Sequence, residues 1–161
     1  MGQQQLLLVI LVTIIVGIAT VVAINTFGTA ADQANIDAVN NDIATLASAA
    51  QGYYMRPGML GGGGREFDDL TFDGLAFPSD EQDNSVPIAR NENGIYLLDD
   101  IGGQAFTIEA HPASCEGYDP DLGTEGPCDG DDIIQAGVGP NTFELDAVAA
   151  DIDTDSDDGT E

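Results

Sequence analysis

From Leu6 to Ile24 the chain runs LLLVILVTIIVGIATVVAI without a charged residue. A helix of about 20 apolar residues crosses a hydrocarbon core roughly 30 Å thick, so this stretch is expected to be a helix in a membrane or in equally apolar surroundings. Its polar members fit that setting. Thr13 and Thr20 can return their hydroxyls to the preceding helical turn, and Gly17 offers a place for close helix approach.

Beyond a short polar stretch, Ile36, Val39, Ile43, Leu46, Ala50 and Tyr53 recur at alternating spacings of three and four. They form one apolar stripe on one helix face. Asp32, Asp37, Asn40, Asn41, Asp42 and Gln51 occupy the other positions, and Arg56-Pro57-Gly58 is the expected stop. If the helix crosses Gly28 without a break it has about 50 residues and a length of about 75 Å, more than a small domain buries. The apolar half then needs membrane or neighbouring helices, and the amphipathic half needs a folded head. The alternative is a spanning helix, a kink at Gly28 and an ordinary amphipathic helix.

After Gly61 the texture changes to turn residues with short apolar runs: LTFDGLAF, NGIYLLDD, QAFTIEAH and TFELDAVAADID. These are expected to be short strands. Phe106, Ile108 and Ala110 alternate with Thr107 and Glu109, and Phe143, Leu145, Ala147 and Ala149 alternate with Glu144, Asp146 and Val148, the pattern of antiparallel strands with one buried face. The fold class is therefore α+β, a long N-terminal helix packed on a small antiparallel sheet. Four segments follow: an apolar anchor helix (1–27), an amphipathic continuation (28–56), a glycine-rich connector (57–79) and an acidic β-rich head (80–161).

Charge sharpens this picture. Asp and Glu number 29 against 3 Lys and Arg, a formal net charge of -26, and no acid precedes Asp32. There is no lysine, and Arg56, Arg65 and Arg90 make no basic patch, so nucleic acid is not an expected partner. Self-repulsion on this scale is relieved in brine, where the Debye length falls to about 3 Å near 1 M salt. A halophilic source is the expectation. The only positive charge ahead of the apolar run is the terminal amine, which does not suit a secretory signal peptide. No myristoylation pattern or nearby cysteine offers a lipid anchor. The helix itself is expected to anchor the chain, with the acidic body outside.

Cys115 and Cys128 bound a loop rich in glycine and proline, and a disulfide is the economical expectation for an exported chain. A metal or thiol site built from both cysteines and His111 is the rival, although it lacks paired CxxC spacing. Asp153, Asp155 and Asp157 lie in an alternating acidic run that resembles a calcium loop but lacks the EF-hand glycine and twelfth-position acid. A loose calcium site shared with Asp119, Asp121 or Glu125 stays open; otherwise no cofactor is expected. Gly61 to Gly64 match no phosphate-binding pattern and suit a flexible connector or a close subunit contact. No nucleophile elbow or distinct carboxylate pair suggests an enzyme.

The start GQQQLLLVILVTIIVGIATVVAI, the segment ANIDAVNNDIATLASAAQGYY and the loop GGGGREF together resemble type IV pilin-like proteins over roughly the first 67 residues. The resemblance implies cleavage by a prepilin peptidase between Gly2 and Gln3 and packing of the apolar helix, including Leu6, Leu7, Leu11, Ile14, Gly17 and Ile18, into a filament core. It also implies copies of the same chain and an assembly machinery as partners, the membrane as the location before assembly and the cell surface after it. Leu7 stands where bacterial pilins usually have a glutamate; Gln3, Gln4 and Gln5 offer uncharged donors and acceptors instead. The expected function is thus a filament subunit for adhesion or surface contact. Alternatives are a secretion-system pseudopilin and a monomeric anchored binding module for calcium or sugar, with Tyr96, Tyr118 and Phe143 near its site.

Overall fold

The computed structural model of the chain describes residues 2–79, 81–83, 87–115, 118, 128, 132–147, 150 and 152, with the backbone alone at 81–83. Helix α1 spans Gly2–Met55 and includes Gly28. The chain divides into two compact units, Met1–Ala34 and Asn35–Glu161. The first is apolar helix. The second is an α+β head in which the later part of α1 packs on an antiparallel sheet.

Among the described residues the sheet has six strands: β1 Glu81–Asp83, β2 Ile88–Arg90, β3 Gly94–Asp99, β4 Phe106–Pro112, β5 Ile134–Val138 and β6 Phe143–Leu145. Each pairs with its sequence neighbour, giving a meander in chain order. The register places Ala89, Tyr96, Ala110 and Ile134 in one cross-strand row and Leu98, Ile108, Ala136 and Leu145 in the next. Because side chains alternate between faces, Ala89, Tyr96, Leu98, Phe106, Ile108, Ala110, Ala136 and Val138 point into one core with Val39, Ile43, Leu46, Ala47, Ala50 and Tyr53 of α1. The expected stripe is buried apart from Ile36, which is half-buried at its start.

Segment 57–79 completes this core instead of merely connecting to it. Phe67, Leu70, Phe72, Leu75 and Phe77 are all buried. Phe67 lies between Tyr54 and Phe106, at ring-centroid distances of 4.9 and 5.0 Å, and Phe77 meets the Tyr96 ring edge-on at 5.1 Å. Within this segment LTFDGLAF, expected to be a strand, holds the short helix α2, Phe72–Leu75. Thr71 caps it by accepting the Gly74 N–H at 3.4 Å, and Phe72 and Leu75 are both buried. Local capping and an i, i+3 apolar pair therefore override the β-like composition.

The glycine run is also ordered into a structure with a purpose. The amides of Gly63, Gly64 and Arg65 donate to the carbonyls of Tyr53, Arg56 and Tyr54 at 2.9 to 3.0 Å, satisfying acceptors at the end of α1 and just beyond it. A Cβ on Gly63 would overlap the Glu66 carbonyl, and Gly61 and Gly64 have φ of 74° and 64°, so this fold-back needs glycine.

Two strand expectations need correction. β4 is buried on both faces: Thr107 and His111 are almost as inaccessible as Phe106 and Ile108. The second face is covered where the Cys128 backbone N–H reaches the His111 ring. The last strand covers Phe143–Leu145; Asp146 then takes φ of 60°, and its N–H donates to the Gln135 carbonyl at 2.8 Å, while Val148 and Ala149 of the expected strand lie outside the described residues.

Helix and sheet are fixed by a polar centre that the sequence pattern assigned to the outer face. Asp42 Oδ2 accepts hydrogen bonds from Tyr96 Oη at 2.7 Å, Asn93 Nδ2 at 2.8 Å and Asn91 Nδ2 at 2.9 Å. The Asn91 side-chain oxygen accepts the N–H groups of Asn93 and Gly94, shaping the β2–β3 turn. Asn35 ties the same turn to the end of β4, donating to the Asn93 carbonyl and accepting the Ser114 N–H. Replacing Asp42 with Ala leaves three donors without their acceptor, one of them on fully buried Tyr96. Thermal or denaturant unfolding is expected to show a loss of about 3 kcal/mol, against less than about 0.5 kcal/mol for exposed Asp37→Ala.

Burial, and then the hydrogen bond to the Asp42 carboxylate, push the Tyr96 phenol well above its ordinary range. The folded state thus holds the neutral form. Its contribution is complete below the unfolded phenol pKa, about 10, and is lost as pH rises from there toward the folded value. Unfolding midpoints measured between pH 9 and 11.5 are expected to fall in the upper part of that range, and Tyr96→Phe to flatten the fall.

Candidate functional site: an apolar helix with uncovered sides

The first unit contributes the chemistry most in need of a partner. Fourteen Leu, Ile and Val side chains between Leu6 and Ile24 are exposed, from 48% at Val12 to 70% at Leu7, and Phe27 is 76% exposed. An unbroken apolar run from Leu6 to Val12 covers two helical turns, so these side chains occupy every side of the helix. Leu7, Leu11, Ile14 and Ile18 share a face through their 4-3-4 spacing, and Leu6 and Gly17 lie about a quarter turn away. None of the six is set apart from its apolar neighbours by exposure. Gly2 and Gln3 are the first exposed residues of the same helix.

Polar groups on this segment are largely satisfied from within. Thr13 donates to the Ile10 carbonyl, Thr20 to Val16, Thr26 to Val22 and Thr29 to Asn25, at 2.8 to 3.1 Å. These hydroxyls therefore present their methyl groups and not an open donor. A Cβ on Gly17 or Gly28 would meet nothing within 4 Å, so neither glycine is explained by packing inside the chain. The segment is long and apolar enough to cross a membrane, with a mean hydropathy of 3.2 over its best window and none of that window buried.

The magnitude decides the matter. Covering a Leu, Ile or Val is worth on the order of 1.5 to 3 kcal/mol. Fourteen of them amount to tens of kcal/mol of gross burial free energy if fully covered. A membrane or neighbouring apolar helices are surroundings that would cover such a helix.

The head offers less reactive chemistry. Cys115 and Cys128 form a disulfide with a Cα–Cα distance of 5.8 Å, which removes both thiols from the rival metal or nucleophile arrangement with His111. The His111 ring is fully engaged: Nδ1 accepts the Cys128 N–H at 3.3 Å, and Nε2 lies 2.9 Å from Glu109 Oε1, which makes Nε2 the protonated nitrogen. Glu109 Oε2 also accepts from Gln135 Nε2 on β5 at 3.3 Å. The group therefore pins the second face of the sheet.

Among the described residues no group of three or more His, Cys, Asp or Glu side chains is placed to hold a metal ion. Asp153, Asp155 and Asp157, with Asp119, Asp121 and Glu125, lie outside the described residues. The glycine loop turns its amides toward the end of α1, leaving no cradle for phosphate. Tyr96 is buried with its hydroxyl on Asp42, so its ring is not open to a ligand, and Phe143 is half-buried against the core. Tyr118 is half-buried, and its phenol is raised by that burial.

Sequence reasoning missed Asp42 because a polar residue beside an apolar stripe is ordinarily solvated. It also passed over the exposed group Met55, Met59 and Leu60 where α1 ends, because scattered apolar residues in a turn carry no period. The disulfide joins cysteines at a sequence separation of 13, so Cys115→Ser with Cys128→Ser, or reduction, is expected to cost the head about 3 kcal/mol in thermal unfolding. Comparison with family models, with curated proteins and with solved structures finds no match.

Proposed function

We propose that the chain is a subunit of an extracellular, type IV pilus-like filament that serves adhesion or surface contact, with its apolar helix covered by the helices of other copies. The observation that carries this reading is the helix Gly2–Met55: its first half is apolar on all sides and uncovered, and its second half belongs to a folded acidic head. A lone membrane anchor needs the first property only. A subunit whose helix also shapes its head has a built-in link between core packing and surface display.

In this account the helix rests in the membrane before assembly, a prepilin peptidase cuts between Gly2 and Gln3, and an assembly machinery transfers the subunit into the filament. The chain works as a structural element without catalysis. Its net charge of -26 suits a salt-rich exterior, where screening lets like-charged heads sit side by side. The membrane-anchored monomer is the second reading, favoured by the length and hydropathy of the same helix.

Two substitutions separate these readings. Leu11→Asp places a carboxylate in the helix core and is expected to abolish filaments with the head still folded. Gly17→Leu keeps the segment apolar and fit for a bilayer but adds bulk where neighbouring helices approach. The filament reading expects at least about a tenfold loss of sheared filaments from Gly17→Leu with normal membrane retention, since overpacking a close contact costs on the order of 1 to 3 kcal/mol. Undiminished filaments from both variants would count against assembly through this helix.

A further inference from the structure

The end of α1 carries a surface that the core does not explain. Met55 is 71% exposed, Met59 98% and Leu60 72%, although apolar residues of this size elsewhere in the head are mostly covered. They are brought together by the turn that folds back on the helix: Leu60 N–H donates to the Pro57 carbonyl at 2.9 Å, Gly64 N–H to Arg56 at 3.0 Å and Arg65 N–H to Tyr54 at 2.9 Å. Arg56 and Arg65, both exposed, therefore flank the apolar group.

Charge sets this surface apart from the rest of the head. No acid occurs from Ile43 to Arg65, a stretch of 23 residues in a chain with 29 Asp and Glu that contains two of the three cations, and exposed Glu66, Asp68 and Asp69 follow it directly. Neither arginine makes an ion pair among the described residues. Arg65 also holds φ of 81°, a left-handed conformation that glycine adopts at lower cost and that follows directly on a run of four glycines. Arg65 stands where a fifth glycine would relieve the backbone.

We infer that Met55, Met59 and Leu60 with Arg56 and Arg65 form a docking surface for the acidic head of a second copy of this chain. The inference rests on the self-assembly proposed above. Charge complementarity selects the occupant: the chain supplies carboxylates in great excess and concentrates its cations here. Among the described residues, β6 at the end of the sheet and the turn after it carry acidic and apolar groups, with exposed Leu145 on one face of the strand, exposed Glu144 on the other and exposed Asp146 following. Contact between two different patches is heterologous, the kind that propagates as an open helical array when its rotation does not close into a ring. Brine screens the long-range repulsion between heads, whereas ion pairs partly buried by the methionines are screened much less.

The test uses the full chain in cells at its working salt, with a photoreactive benzophenone side chain in place of Met59. Irradiation is expected to yield a dimer whose adduct maps to the head of the second copy, at or beside β6. Arg56→Glu with Arg65→Glu should lower that yield about tenfold through like-charge contact. Arg65→Gly should lower it as well while raising the unfolding temperature of the head, a combination that a purely structural role for Arg65 does not give. Adducts only with lipid or with another protein, or a dimer yield indifferent to the double charge reversal, would overturn the inference. Filaments without this cross-link would leave the assembly proposal standing and remove the docking surface. Cross-linked dimers without filaments would do the reverse.

Discussion

An apolar helical surface worth tens of kcal/mol is joined covalently to a head that the same apolar surroundings would reject. The segment from Leu6 to Phe27 has no charged side chain and is uncovered within its own chain. The residues from Asp32 onward carry all 29 acids. One end must be enclosed in something apolar and the other must remain in water. This division constrains everything else: α1 has to serve two solvents, and the head has to fold with one face of its helix already committed.

Within the head, the commitment is met by matching an apolar stripe to a meander and locking the match with hydrogen bonds. Val39, Ile43 and Leu46 supply burial, which has no direction. Asp42 supplies direction, because three donors from β3 and its preceding turn converge on one carboxylate oxygen. Asn35 and Gln51 add anchor points at the two ends of this interface, the latter through the carbonyls of Gly139 and Thr142. The disulfide and the His111 group then hold the far face of the sheet, so the meander is restrained on both sides.

The features legible in the sequence were those with a period or a fixed composition. The stripe from Val39 to Tyr53 shows the helical period, and β3 and β4 are rich in apolar residues at strand spacing. The cysteine pair stood out because its loop could not pack otherwise. Strand β5 was not legible: Ile134-Gln-Ala-Gly-Val is short and weakly alternating, and its burial comes from β4 beside it. β1 and β2 are three residues each, with Pro87 just before β2, and gain strand character only through pairing. The helix inside LTFDGLAF and the ordered glycine turn depend on specific hydrogen bonds, which no hydrophobic pattern encodes. Asp42 was hidden for the opposite reason, since its partners are 49 to 54 residues away.

The most direct test of the central claim, that α1 is covered by copies of itself, is electron cryomicroscopy of filaments sheared from cells, with the subunit identified by N-terminal sequencing. The account predicts filaments with an axial core of bundled helices into which residues 3–34 fit, surrounded by heads, and a subunit beginning at Gln3. A chain found only in membranes, unpolymerised and with its first two residues in place, would contradict it.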